Sequence, residues 1–351
     1  MNKPADLPLH SLDLDDIGHN TSRNREFTDV LQARLSRRGL LRGAVGTAAT
    51  AVFGSIGLAA CGGGDDDEET PAPLTALGFS AVAKSLADVL TMPSGYAATV
   101  LYRLGDPIAS IADYKNDGTE TGDSFTQRAG DHHDGISFFG MSNGAWDAST
   151  SSAGLLAMNH ENITSAYLHA NGQTISGSGA TAVRTVADEV VKEINAHGVS
   201  VVEVQRGTGG WSINKISSFN RRITAASEMA MSGPVAKSKY LITKFSTDGS
   251  KTRGTVNNCA NGRTPWGTYL TCEENWNGYF RRIAAIDNAN RSANELVALA
   301  RYGVAGNGNN FWGTVTPDTA DNQYGRWVAM KTGSSTDGSD DYRNVANTYG
   351  W

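Results

Sequence analysis

The segment Gly154-Leu-Leu-Ala-Met-Asn-His-Glu-Asn162 (GLLAMNHEN) runs an apolar stretch straight into side chains of the kind that bind metals. Read as a strand, its period of two puts Asn159 and Glu161 on one face and Met158 and His160 on the other. Residues 96–103 (YAATVLYR), 199–204 (VSVVEV), 240–245 (YLITKF) and 268–272 (TYLTC) read as strands too. Forty glycines, with frequent Thr, Ser, Asn and Asp between apolar runs, mark many short strands joined by turns. The class is therefore all-β. One inserted amphipathic helix is expected over residues 182–197, because Val183, Val186, Ala187, Val190, Val191 and Ile194 fall at helical spacing and Gly198 follows as a stop signal. A second, weaker helix is expected over 81–90.

The leader says where the chain works. Residues 35–41 (LSRRGLL) carry a twin-arginine pattern at Arg37 and Arg38, followed over residues 43–60 by a small, apolar run without an acid. That run is rich in Ala, Gly and Thr and barely reaches the roughly 18 residues of a membrane span, so an export signal is preferred to an anchor. Residues 58–62 (LAACG) resemble a lipobox, which would make Cys61 a lipidation site; the alternative is plain cleavage with Cys61 a bystander. Residues 61–75, with the run GGGDDDEETPAP, have the composition of a flexible acidic tether. The expected order is a signal with lipobox over 1–60, the tether over 61–75 and one large body over 76–351. The expected partners are the twin-arginine export machinery and a membrane, reached through the lipid anchor, and the location is the periplasm or cell envelope. A net charge of −6 leaves no basic footprint for nucleic acid.

Polar residues out of place on apolar strands form four clusters in the body. The first is Asn159-His-Glu161. Residues 257–262 (NNCANG) form a turn-prone loop that holds Cys259 among amide oxygens. A thiolate there suits iron or zinc, whereas carboxylates and amides suit calcium or magnesium. The alternative is a disulfide from Cys259 to Cys272, which an oxidising compartment favours. Residues 268–274 (TYLTCEE) end in adjacent acids, with Glu274 on the face of Leu270 and Cys272 and Glu273 on the face of Tyr269 and Thr271. Both acids can serve one site only if the strand ends or bulges there. The fourth cluster, residues 130–135 (GDHHDG), is dense in ligand types at no standard zinc spacing, and its default reading is a strand-entry turn. Arg221 and Arg222 could offer a fork for a phosphate oxygen, against the reading of a solvated basic turn. No phosphate loop, dinucleotide fingerprint, His-Glu-x-x-His or serine elbow occurs, and catalytic residues stay unassigned.

In order along the chain, residues 92–108 (MPSGYAATVLYRLGDPI), 154–162 (GLLAMNHEN), 197–204 (HGVSVVEV), 217–225 (SSFNRRITA) and 257–280 (NNCANGRTPWGTYLTCEENWNGYF) resemble the PhoX-type secreted alkaline phosphatases. The resemblance implies a six-bladed β-propeller whose channel holds ferric iron and calcium bridged by an oxo group, and a phosphomonoesterase that acts on small organic phosphate esters. It implies metal ligation by Cys259, Glu161, Glu273 and Glu274, and so a metal-bound thiolate at Cys259 rather than a disulfide, with Cys272 a small core residue. In the family the stretch Tyr349-Gly-Trp351 continues into further strands, so the chain is expected to be the N-terminal portion of the propeller, incomplete and inactive by itself. The family's Asn-Cys-Ala-Gly-Gly loop is Asn-Cys-Ala-Asn-Gly here. The rival expectations are a lipid-anchored calcium-binding propeller without catalysis and another calcium-dependent propeller hydrolase, such as a phosphodiesterase or lactonase.

Overall fold

A computed structural model describes residues 80–330, apart from 239–240, 244 and 318–322. The twin-arginine leader, Cys61, the acidic tether and the terminal Tyr-Gly-Trp therefore lie outside the described residues. By its internal contacts the chain divides into residues 1–98 and 99–351. In the first unit, residues 80–98 follow an irregular path, so the helix expected over 81–90 does not form. Its apolar side chains Leu86, Val89 and Leu90 are exposed, and a short helix without a buried stripe has little to stabilise it.

The second unit is mostly β. Its main sheet has the order β2-β1-β3-β6-β7, with β1 at His133–Ser142, β2 at Ala145–Trp146, β3 at Ala153–His160, β6 at Gly198–Gly207 and β7 at Gly210–Ile213. A short β8, Arg221–Ile223, also pairs with β6. The edge of β6 is thus divided: Val204 to Gly207 pair with β7, and Val199 to Val201 with β8. Gly198 permits the second pairing, because its φ is +102° and a Cβ there would stand 2.0 Å from the Ile223 carbonyl oxygen. Among the described residues three two-stranded ribbons complete the β structure: β4–β5 (Ile175–Ser176, Val183–Arg184), β9–β10 (Glu228–Ala230, Lys251–Arg253) and β11–β12 (Asn258–Arg263, Tyr269–Glu273). The strands expected over 154–158, 199–204 and 268–272 are present. Those expected over 96–103 and 240–245 are not, among the described residues. Leu101 and Tyr102 still contribute, packing from irregular backbone onto Met158, Val202 and Val204.

Among the described residues four α-helices accompany the strands: α1 (Ser165–Leu168), α2 (Ala187–Ala196), α3 (Ala284–Asp287) and α4 (Ala293–Tyr302). Helix α2 begins at Ala187, not at 182, because Val183 belongs to the β4–β5 ribbon and Val183 and Val186 are exposed. Val190 and Ile194 are buried as the spacing predicts, but so are Lys192, Glu193 and Asn195. Those three polar groups bind loops. Lys192 donates to the carbonyls of Gly118 and Leu168, and Asn195 to that of Gly122. Glu193 accepts from Arg184 Nη2 (2.7 Å), His169 Nε2 (2.9 Å) and Trp312 Nε1 (2.8 Å). Burial pushes its carboxyl up, but those hydrogen bonds and the Arg184 charge outweigh it and hold Glu193 below the usual carboxylate range. The C-terminal carbonyls of α2 are capped by Arg222, whose Nη2 donates to Asn195 O (2.6 Å) and His197 O (2.8 Å). Around α2 lies the larger apolar cluster, with Tyr279, Phe280, Trp312 and Trp327.

Removing the Glu193 charge leaves the fully buried Arg184 guanidinium with Glu189 as its counter-charge. Glu193→Gln is expected to cost about 3 kcal/mol, read as a lowered midpoint of urea unfolding; an unchanged midpoint would mean that Glu189, which also meets Arg184 at 3.0 Å, carries the charge alone. His197 gives a second test. Its Nδ1 donates to the Glu193 carbonyl at 2.7 Å and its Nε2 accepts from the Tyr279 hydroxyl at 3.0 Å. Burial pulls its pKa down from 6.5 to about 4, only partly offset by that carbonyl and the Glu193 charge. As pH falls through this window the unfolded chain takes up a proton that the folded chain refuses, so stability is lost, by up to about 3 kcal/mol. Between pH 6.5 and 4 the unfolding free energy should fall more steeply in the wild type than in His197→Gln; equal slopes would exclude His197 as the source.

Candidate metal centre

Glu161, Cys259 and Glu274 come to one place, and two irregularities in the strands bring them there. The β1–β3 register shifts between His133 and Ile136, and the β11–β12 register shifts between Asn258 and Asn261. Asp134 lies inside the first shift and Cys259 inside the second, and a bulge re-aims the side chains it carries. β3 ends at His160 and β12 at Glu273, so Glu161 and Glu274 each leave their strand as it stops. Asn257, buried and with a φ of +55°, joins the two ends. Its Nδ2 donates to the Glu161 carbonyl at 3.3 Å, and its own carbonyl accepts from Glu274 N at 3.0 Å.

The electrostatics are those of like charges facing one another. Partial burial, then the charges of Asp134 and Glu274, push the Glu161 carboxyl up, while His132 pulls the other way. At Cys259 slight burial, a hydrogen bond to Glu274 and the fields of Glu274 and Glu161 raise the thiol, against the Ala260 amide. A cation among these groups would relieve the repulsion. A thiol and carboxylates are donors suited to iron and to calcium respectively, so the donor chemistry fits both metals. Spacing sets a limit: among the described residues no three His, Cys, Asp or Glu side chains close up into a metal site by themselves.

Behind the cluster stands Asn159, fully buried at the end of β3. Its Nδ2 donates to the carbonyls of Cys259 (2.8 Å) and Ala260 (3.2 Å), and its Oδ1 accepts from the Thr271 hydroxyl (2.9 Å). The Tyr269 hydroxyl lies 2.9 Å from the same Oδ1 and 2.8 Å from the Gly135 carbonyl oxygen, and its one proton serves either. Gly135 itself allows the approach, since a Cβ there would stand 2.7 Å from the Cys259 carbonyl oxygen. This amide thus helps to fasten the β11–β12 hairpin to the main sheet, beside the hydrogen bonds from Asn261 to Ser137 and from Arg263 to the Phe138 carbonyl.

Several sequence-based expectations need correction. Glu273 Oε1 accepts from the Thr255 hydroxyl (2.9 Å) and Val256 N (3.1 Å), whereas Glu274 shares a hydrogen bond with Cys259. Cys259 and Cys272 are free thiols, and Cys272 is exposed rather than a core residue, because Leu270 and Cys272 lie on the outer face of β12. Arg222 does not present a fork to solvent, since it caps α2 from within the structure. Arg221 is exposed, donates to the Phe219 carbonyl at 2.9 Å and pairs with Val201 of β6, four residues along β3 from Glu161 through Ala157. In the Asp-His-His-Asp run, Asp131 makes the strand-entry turn by accepting from the backbone amides of His132 and Thr164, whereas Asp134 reaches the site. The residue pattern alone assigns Asp134 to that turn, offers Asn257 only as one of the amides around Cys259 and gives Asn159 no role; the density of asparagine beside each acid is the available signal.

The family model described as alkaline phosphatase PhoX matches residues 77–351. The solved structure of Pseudomonas fluorescens PhoX in complex with vanadate, a transition state analogue, is similar at a TM-score of 0.59 and 32% identity, over 72% of this chain and 41% of that one. The chain therefore spans about two fifths of that protein's length. No curated protein matches.

Asn159→Asp replaces the donor edge that meets the Cys259 and Ala260 carbonyls with an acceptor oxygen. It should destabilise the chain by about 3 kcal/mol and speed amide hydrogen exchange in β11 and β12 before the rest of the sheet; unchanged exchange in the hairpin would show that it is held by other contacts.

Proposed function

The chain belongs to the PhoX alkaline phosphatase family, and on that premise we propose that it forms part of an exported, metal-dependent phosphomonoesterase that releases phosphate from small organic phosphate esters. The observation that carries the reading is the meeting of Glu161, Cys259 and Glu274, from separate strand ends, inside the region matched to the family. Vanadate in the Pseudomonas fluorescens relative supports phosphoryl transfer as the chemistry. The antiparallel run β1-β3-β6-β7 has the form of a four-stranded propeller blade and supports the propeller reading; the count of six rests on the family resemblance.

Glu161, Cys259 and Glu274 would hold part of the metal cluster, with the thiolate favouring ferric iron and the carboxylates calcium. What a bound cation supplies is positive charge against the phosphoryl oxygens. The chain's own work is positional. Asn257 sets the distance between the Glu161 and Glu274 backbones, and Asn159 fixes the main chain that carries Cys259. Asp134 adds negative charge near Glu161 and strengthens the preference for a cation. We also propose that residues 1–60 direct twin-arginine export and that Cys61 carries a lipid, holding the body in the periplasm or cell envelope.

In the complete protein, Glu161→Gln, Cys259→Ser and Glu274→Gln should each lower phosphate release from an organic ester by about 100-fold and reduce bound metal on elemental analysis. Glu273→Gln should act mainly on stability. Wild-type turnover by Cys259→Ser would overturn the reading, and calcium without iron in an inactive complete protein would favour a binding propeller.

A further inference from the structure

A cavity of about 230 Å³ opens on the face of the main sheet that also carries Asn159. Its floor is apolar and spans paired strands: Leu155 and Ala157 of β3 and Val201 of β6. Phe139 and Trp146 wall it, and Tyr269 and Gly267 of the β11–β12 hairpin border it. Arg221 also lines it. A neighbouring cavity of about 410 Å³ shares Phe139, Trp146 and Gly267. Ala157 and Glu161 are four residues apart, about 13 Å along extended backbone, so this space is separate from the metal cluster.

Three features define what would fit. The Trp146 side chain is half exposed (52%), so an aromatic surface is open to a flat partner. Gly267, with a φ of +83°, keeps the hairpin turn against it, and a Cβ there would come within 3.1 Å of the indole ring. Arg221 makes its one hydrogen bond to the Phe219 carbonyl, and none of the salt bridges of the described residues engages it, so its charge is uncompensated beside an apolar floor. An apolar hollow with one cation at its side suits a ligand with an apolar ring and one negative charge.

We propose that this cavity is a binding site for small aromatic anions, an arene bearing one sulfonate, carboxylate or phosphate, with the ring against Trp146 and Phe139 and the charge on Arg221. The site is independent of the phosphatase reading and stands whether or not the chain releases phosphate.

Calorimetric titration of the full chain with naphthalenesulfonate tests it, beside the neutral naphthalenemethanol. The sulfonate should bind about tenfold more tightly than the alcohol, and Arg221→Gln should abolish that difference. Trp146→Ala should weaken both ligands. Arg221 is exposed, so Arg221→Gln should keep the wild-type thermal midpoint. Equal affinity for the two ligands, sulfonate binding untouched by Arg221→Gln, or no binding at millimolar concentration would each overturn the proposal.

Discussion

A carboxylate without water must be surrounded by donors, and Glu193 shows how much structure that requirement can organise. Its two oxygens draw Arg184 from β5, His169 from the end of α1 and Trp312 from a loop more than a hundred residues downstream. The carbonyl of the same residue takes the His197 proton, and His197 leads directly into β6. Helix α2 is therefore less an apolar stripe seated on a sheet than a row of polar groups, each satisfied by a particular segment. Such an arrangement contributes modestly to net stability but strongly disfavours alternative packings, which would leave a buried charge unmatched.

Where the sequence was a good guide, burial followed chemistry in the ordinary way. The runs 154–158 and 199–204 lie side by side in the sheet, paired from Ala153–Gln205 to His160–Gly198, and the alternation read from them puts Asn159 on the face that meets the hairpin. Where it misled, a tertiary partner had decided the outcome. Val183 and Val186 match a helical stripe, yet the ribbon β4–β5 claims Val183 and α2 starts later. Lys192 and Asn195 look like a solvated face because no local signal announces the carbonyls that wait for them. Arg222 beside Arg221 reads as a basic turn, and only the position of the α2 C-terminus shows that strand alternation sends one arginine inward and the other out.

The candidate metal centre was legible in its donors and not in its geometry. Glu161, Cys259 and the acidic pair could be picked out by residue type, but the choice of Glu274 over Glu273 depends on where β12 stops. Asp134 depends likewise on a register shift that no residue pattern predicts. The two shifts and the two strand ends act together: each spoils regular pairing locally, and each turns a ligand-type side chain toward the same space.

The hydrogen bond from Asn159 to the Cys259 carbonyl joins residues 100 positions apart. β11 and β12, by contrast, are joined by a short turn and can zip up locally, in microseconds for an ordinary hairpin. Docking that hairpin on Asn159 requires β3 to be paired with β6 across the loop that contains α2, a far more non-local event. Glu161 thus sits on one folding unit and Cys259 with Glu274 on another. Until the two meet, Glu161 stays apart from Cys259 and Glu274, and these candidate donors come together only as the long-range topology closes.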